Sequence, residues 1–167
     1  MHRSLLAGVV GGVLFLLGCS SQSSSGDAST PDTMTGGTET VALSVDHRSR
    51  WRELRIEGAT DLPDGAVVTY FVTHALTNEA PVGEWPAQNL ITDGTAVVNA
   101  GQYWAEINTT YWPPGSVHVQ VQFPVSPQPA PIQSRYGEFG EHLAGSNVTE
   151  VASSKVVTIE HSFDWTR

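Results

Sequence analysis

From residue 41 to the end of the chain, apolar and polar residues alternate in short runs that turn residues separate. A period of two places every second side chain on one face of an extended strand, so each run predicts a half-buried β-strand. The clearest run spans residues 117–123, where apolar residues alternate with His118, Gln120 and Gln122. We expect further strands at residues 41–45, 54–56, 67–76, 103–107 and 155–163.

Turn residues mark the boundaries between these runs. In the turn at residues 60–65, Pro63 fixes φ and Gly65 tolerates a positive φ. Asp93-Gly94 stands between two strand-like runs and predicts a hairpin turn. A Pro-Pro-Gly turn at residues 113–115 leads into the clearest strand.

The pattern as a whole predicts an all-β fold, because we find no convincing amphipathic helix after residue 40. About seven or eight strands in residues 41–167 are expected of an antiparallel β-sandwich. The turn Leu62-Pro63-Asp64-Gly65 and the strand spacing resemble the immunoglobulin-like domains of bacterial surface proteins. That resemblance implies an immunoglobulin-like sandwich and carries no catalytic residues with it.

Residues 126–149 do not fit a minimal sandwich, because they form a long stretch rich in proline and glycine between two predicted strands. Loops of this length are usually functional or disordered. Tyr136 and Phe139 suggest that the segment is pinned to the domain, and we expect it to contribute to specificity.

The first eighteen residues have the composition of a signal peptide, with Arg3 before an apolar stretch that is too short for a stable membrane span. The stretch ends in Leu16-Leu17-Gly18-Cys19, which resembles the lipobox of bacterial lipoproteins, although Leu17 stands where a smaller residue is commoner. The resemblance implies cleavage before Cys19 and a diacylglycerol on its sulfur, so that acylated Cys19 anchors the chain in membrane lipid.

Residues 19–40 are rich in Ser, Thr and Gly and predict a flexible tether between the lipid and a domain at residues 41–167. The expected location is extracytoplasmic. With Ser20 after the cysteine, the lipoprotein sorting pattern directs the protein to the outer membrane in a Gram-negative host, and otherwise to the outer face of the cell membrane. Cys19 is the single cysteine, so the domain lacks an internal disulfide.

The charge balance argues against nucleic acid as a partner. The chain has 8 basic and 17 acidic residues, a net charge of −9, and phosphate binding needs clustered Lys and Arg. One basic cluster surrounds Trp51, and its members are Arg48, Arg50, Arg52 and Arg55. Two interpretations stay open: the cluster meets anionic lipid heads, or Trp51 covers one end of the sandwich while the arginines pair with acids.

Motifs of catalysis and metal binding are few. We expect no metal or other cofactor, because no histidine pair has helical spacing and no Cys partner exists in the domain. A site across strands, such as His118 with His161, stays open. Glu138 and Glu141 could form a carboxylate pair for hydrolysis within residues 126–149, although such acids are usually solvated charges.

Aromatic side chains are the better candidates for binding, because exposed Trp and Tyr stack on sugars and are enriched in protein interfaces. The candidate binding residues are Trp85, Trp104, Trp112, Tyr136 and Phe139. The leading hypothesis is a non-enzymatic lipoprotein domain that binds another envelope protein. The alternatives are a carbohydrate-binding module that recognises a surface polysaccharide and a hydrolase that uses the two glutamates.

Overall fold

The computed structural model describes residues 37–166, so the predicted signal peptide, Cys19 and most of the predicted tether lie outside the described residues. Eight strands lie within the described part of the chain. They are β1 (Asp46–Arg50), β2 (Glu53–Ala59), β3 (Val67–His74), β4 (Ile91–Val97), β5 (Gln102–Asn108), β6 (Gly115–Phe123), β7 (Val148–Val151) and β8 (Ser154–Trp165). Two short helices, α1 (Leu76–Glu79) and α2 (Ala130–Tyr136), and the 3-10 turns Val82–Glu84 and Gln88–Leu90 lie in the connections.

The strands form two antiparallel sheets, which confirms the predicted all-β sandwich. One sheet has the order β1-β2-β5, and the other has the order β4-β3-β6-β8-β7. The first, second and fifth strands therefore share one sheet, as strands A, B and E do in immunoglobulin-like sandwiches. The third, fourth, sixth and eighth strands take the places of C, C′, F and G, with β7 added at the edge.

The core lies between the two inner faces, where the predicted alternation is observed. In β6 every second residue from Val117 to Phe123 is buried, while His118, Gln120 and Gln122 are only partly buried. In β5, Tyr103, Ala105 and Ile107 are buried and their neighbours are exposed. Burial of such apolar side chains stabilises a fold by about 1.5–3 kcal/mol for each large residue.

The start of the domain differs from the prediction. Residues 41–45 do not form a strand, because Leu43 pairs with Thr60 in a single isolated bridge and regular pairing begins at Asp46. Ordered packing nevertheless begins before residue 41. The Glu39 N–H donates to the His142 carbonyl at 2.6 Å, and the Glu39 carboxylate pairs with Arg135 at 2.9 Å.

The predicted hairpin at Asp93-Gly94 is wrong. Both residues lie inside β4, which pairs with β3 along its whole length, and Gly94 stands opposite Tyr70 in the register. A Cβ atom at Gly94 would overlap the Tyr70 ring. The glycine therefore allows the Tyr70 ring to lie close to the backbone of β4, one of the known reasons for a glycine inside a strand.

The segment 126–149 is more ordered than a loop. It contains α2, which the sequence analysis missed, and ends in β7. Tyr136 is buried and lies edge-on to Phe123, with ring centroids 5.1 Å apart, so its predicted pinning role is confirmed. The side chain of Gln128 adds a second attachment, because it donates to the Val67 carbonyl at 2.6 Å and accepts from the Val67 N–H at 2.9 Å.

Candidate functional site

A cleft of about 520 Å³ opens at one end of the sandwich, which we call the end cleft. Three segments form it: the β1–β2 turn, the β5–β6 loop and the end of β8. Its lining residues are Ser49, Arg50, Trp51, Arg52, Thr109, Thr110, Tyr111, Trp112, Trp165 and Thr166. None of these residues carries a carboxylate, an imidazole or a thiol, so the end cleft itself does not have the ligands of a metal site.

The β1–β2 turn presents one aromatic and two basic side chains. Arg50 stands opposite Glu53 in the strand register, so Trp51 and Arg52 form the two-residue connection. Trp51 is 81 % exposed, and the Arg52 guanidinium carbon lies 4.1 Å from the centre of its ring. This is a cation–π contact, and it holds the indole and the guanidinium together at the rim.

The β5–β6 loop forms the opposite wall and is tied to the turn. The Thr109 N–H donates to the Arg52 carbonyl at 2.9 Å, and the Trp112 N–H donates to the Thr109 carbonyl at 3.0 Å. Tyr111 projects from the loop and is 74 % exposed. The two walls therefore place two large exposed aromatic side chains, Trp51 and Tyr111, around one opening.

Both walls contain a residue in the left-handed region. Arg52 has φ of 64° and Tyr111 has φ of 71°, conformations that cost non-glycine residues free energy. Such residues concentrate at functional sites, where the side chain is needed despite the backbone cost. Glycine would relieve the strain at either position, but it would remove the exposed side chain.

The floor of the end cleft is aromatic and contains unsatisfied polar atoms. Trp112 and Trp165 pack edge to face with centroids 5.8 Å apart, and the Trp112 indole N–H donates to the Asn89 side chain at 3.1 Å. Thr109 Oγ1 and Trp165 Nε1 are buried and have no hydrogen-bond partner among the described residues. Because buried polar groups are normally paired, these two atoms are exceptions among the described residues.

The end cleft also holds the unpaired positive charge of the basic cluster. Arg48 pairs with Glu57 at 2.5 Å and Arg55 pairs with the same carboxylate at 2.9 Å. Arg50 and Arg52, by contrast, form no ion pair with any residue from 37 to 166. The expectation that the arginines pair with acids therefore holds for two members of the cluster, and Trp51 rims the cleft without covering it.

The five aromatic residues predicted from the sequence do not form one site. Trp112 and Tyr136 are each 1 % exposed, so the prediction that they present a binding face is wrong. Trp85 is half-buried, and its N–H donates to the Ala80 carbonyl at 2.8 Å. Trp104 is 53 % exposed, but the Arg55 guanidinium covers one face at 4.6 Å. Phe139 is exposed within the 126–149 segment, away from the lining of the end cleft.

The structure does not support a catalytic or metal-binding role for the histidine pair or the glutamate pair that the sequence analysis considered. His118 does not meet His161, because its Nδ1 pairs with Ser162 Oγ at 3.0 Å. Hydrogen bonds from the backbone N–H groups of Glu141 and Phe139 lower the pKa of the Glu141 carboxyl. A general acid requires a raised pKa, so this environment does not favour Glu141 in that role.

Sequence reasoning missed Tyr111 and the end cleft, although signals for both were present. Tyr111-Trp112 is an aromatic pair after a predicted strand, where one member can be buried and the other exposed. The Arg50-Trp51-Arg52 run also lay between two predicted strands. The sequence alone does not reveal that β2 pairs with β5, and this pairing brings residues 50–52 and 109–112 to the same end of the sandwich.

Within residues 37–166, no helix has the length and hydropathy of a membrane span. No known protein family matches this sequence, and neither a curated protein nor a solved structure is significantly similar to it.

Proposed function

We propose that this chain is a lipid-anchored envelope protein whose sandwich is a non-enzymatic binding domain for another envelope protein. The partner inserts an acidic segment into the end cleft. The observation that carries this proposal is the pair Arg50 and Arg52, which form no ion pair among the described residues and line the same cleft as the exposed rings of Trp51 and Tyr111.

The chemistry of the end cleft suits a carboxylate next to an apolar or aromatic group. A guanidinium can bind a carboxylate through two parallel hydrogen bonds, which gives both charge and direction. Trp, Tyr and Arg are the residue types most enriched among the strong contacts of protein interfaces. A volume of about 520 Å³ accommodates a few side chains of such a partner.

The charge distribution favours selective docking. The chain has a net charge of −9, so an acidic partner is repelled by most of the surface. The unpaired arginines make the end cleft the favourable place of contact, and oriented charges of this kind raise association rates and exclude wrong registers.

The proposed location rests on the lipobox-like sequence Leu16-Leu17-Gly18-Cys19. A lipid at Cys19 would hold the domain at the membrane surface through the polar segment that follows. Metabolic labelling with a clickable palmitate analogue tests this step: label on the wild-type chain and its loss in Cys19→Ala are expected. An unlabelled wild-type chain that fractionates with soluble protein would contradict the anchor without affecting the end cleft.

A second candidate function is binding of an acidic polysaccharide. It is favoured by the exposure of Trp51 (81 %) and Tyr111 (74 %). The Tyr111 ring and the Trp51 face opposite Arg52 can stack on a sugar, while Arg50 or Arg52 binds its carboxylate. The polysaccharide hypothesis uses the same residues as the protein-binding hypothesis, so only the chemical identity of the bound partner distinguishes the two.

Site-specific photocrosslinking in intact cells tests the proposed function. A photoreactive phenylalanine analogue replaces Tyr111 in the full chain, and in a control chain it replaces Trp104, which lies outside the end cleft. We expect one protein crosslinked from position 111 and not from position 104. The crosslink should disappear with Arg50→Gln plus Arg52→Gln and persist with Arg48→Gln. Glycan adducts alone would favour the second candidate, and equal yields from both positions would contradict the end cleft.

A further inference from the structure

A separate group of titratable side chains joins the two sheets at the side of the sandwich. His47 on β1 and His161 on β8 come from different sheets, and His47 Nδ1 lies 2.9 Å from His161 Nε2. The Asp46 carboxylate oxygen Oδ1 lies 3.8 Å from the His47 nitrogen and 4.0 Å from the His161 nitrogen. Two imidazole nitrogens and one carboxylate oxygen therefore form a small triangle.

The size of this triangle matches the coordination sphere of a first-row divalent metal. A circle through three points separated by 2.9, 3.8 and 4.0 Å has a radius of about 2.1 Å, so one position lies about 2.1 Å from all three atoms. Zinc binds histidine nitrogen at about 2.0–2.1 Å and carboxylate oxygen at about 2.0–2.2 Å. A small movement of Asp46, whose side chain is 78 % exposed, suffices to make the arrangement pyramidal.

The three side chains are already held in place. The Phe163 ring stacks on the His47 ring, with centroids 3.5 Å apart and planes 11° apart. Asp46 Oδ1 accepts a hydrogen bond from the His47 backbone N–H at 2.7 Å. The two histidine side chains are 25 % and 29 % exposed, so protein covers most of each ring and the remainder is in contact with water.

We propose that Asp46 Oδ1, His47 Nδ1 and His161 Nε2 bind one Zn²⁺ ion, with water completing the coordination. In the metal-free protein the two imidazole nitrogens share a hydrogen bond. The ion takes the place of the shared proton, which moves to the other ring nitrogen of the donor imidazole, so that both ligands stay neutral. Since the ligands come from β1 of one sheet and β8 of the other, the ion acts as a clip across the sandwich. The proposal is independent of the end cleft, which contains none of these residues.

Calorimetric titration with Zn²⁺ tests the site. We use the full chain without a histidine tag, with Cys19→Ser so that no thiol competes for the ion. One ion should bind per chain and raise Tm. His161→Gln should weaken binding by more than the roughly 10–100-fold cost of losing an outer hydrogen-bond partner of a metal site. Asp46→Asn should weaken it less, because the amide oxygen can still coordinate.

The matched control is His118→Gln. It removes a histidine from β6, which lies in the same sheet as β8, and it leaves the three proposed ligands intact. It should bind Zn²⁺ as the parent chain does. Circular dichroism of each variant verifies folding, and Co²⁺ substitution reports coordination directly through its visible absorption. Absence of stoichiometric Zn²⁺ binding by the folded parent chain would overturn the proposal, as would binding that survives both His47→Gln and His161→Gln.

Discussion

The Tyr70 ring occupies the space that a side chain at Gly94 would need, on the paired strands β3 and β4. The relationship is steric, because residue 94 lies in an ordinary stretch of strand and not in a turn. Gly94→Ala should therefore destabilise the domain by about 1–3 kcal/mol, the usual cost of overpacking. Urea denaturation followed by circular dichroism measures this difference.

The same relationship predicts a rescue. In a Tyr70→Ser background the ring is gone, so Gly94→Ala should cost clearly less than it does in the wild-type chain. A double-mutant cycle gives the coupling free energy between the two positions. If Gly94→Ala costs the same in both backgrounds, the glycine is needed for a reason other than the ring.

A buried tyrosine ties β5 to the segment before β1. The Tyr103 hydroxyl donates to the Ser44 carbonyl at 2.6 Å, and the residue is 2 % exposed. Tyr103→Phe should lower the free energy of unfolding by about 1 kcal/mol at neutral pH, the typical net value of such a bond.

The difference between the wild type and Tyr103→Phe should depend on pH. Burial raises the pKa of the Tyr103 phenol well above its ordinary value of about 10. Above about pH 10 the unfolded chain releases the phenol proton while the folded chain retains it. The free energy of unfolding of the wild type therefore falls as pH rises. Tyr103→Phe has no phenol proton to lose, so the difference in free energy of unfolding between the wild type and the variant should narrow in alkaline solution. A gap that widens above pH 10 would contradict the assignment.

The backbone of the β1–β2 turn predicts opposite effects on stability and binding. Arg52 has a positive φ, which asparagine tolerates better. Arg52→Asn should therefore raise stability by up to about 1 kcal/mol, part of the roughly 1–2 kcal/mol that the left-handed region costs most residues, while it weakens binding of a carboxylate ligand. Thermal denaturation and a parallel ligand titration measure the two effects, and a variant with lower stability and unchanged binding would contradict both expectations.

The unpaired hydroxyl of Thr109 gives a similar prediction for the cleft floor. Thr109 Oγ1 is buried without a hydrogen-bond partner among the described residues, so Thr109→Val should match or exceed the wild type in stability, by up to about 1 kcal/mol. If the hydroxyl serves a ligand, the same variant should bind it more weakly. Thr95→Val, on β4 and outside the end cleft, is the control for a general effect of a Thr-to-Val substitution.

Local periodicity was sufficient to predict most of the sheet residues. The alternation in residues 117–123 and 103–107 identified β6 and β5, because each has one buried and one exposed face. It failed at Asp93-Gly94, where the reason for glycine is Tyr70, a residue distant in sequence. It also missed α2, since a seven-residue helix with a proline in its first turn has little helical periodicity to detect.

The candidate sites depend on long-range pairing, which explains why they were less predictable. The Tyr111-Trp112 pair indicated one exposed and one buried ring, but the sequence alone favoured the buried Trp112 as the binding residue. His161 was compared with His118 on the neighbouring strand of its own sheet. Its actual neighbour, His47, is 114 residues away in sequence and belongs to the other sheet.

Titration of the full chain with poly-L-glutamate, followed by tryptophan fluorescence at low and high salt, tests the central claim most directly. We predict saturable binding that salt weakens. Arg50→Gln and Arg52→Gln should each weaken it about tenfold or more, because a charge-assisted hydrogen bond contributes about 1.5–3 kcal/mol. Arg48→Gln should bind like the wild type, since Arg48 is already paired with Glu57. Equal losses in all three variants, or no saturable binding, would contradict a carboxylate site in the end cleft.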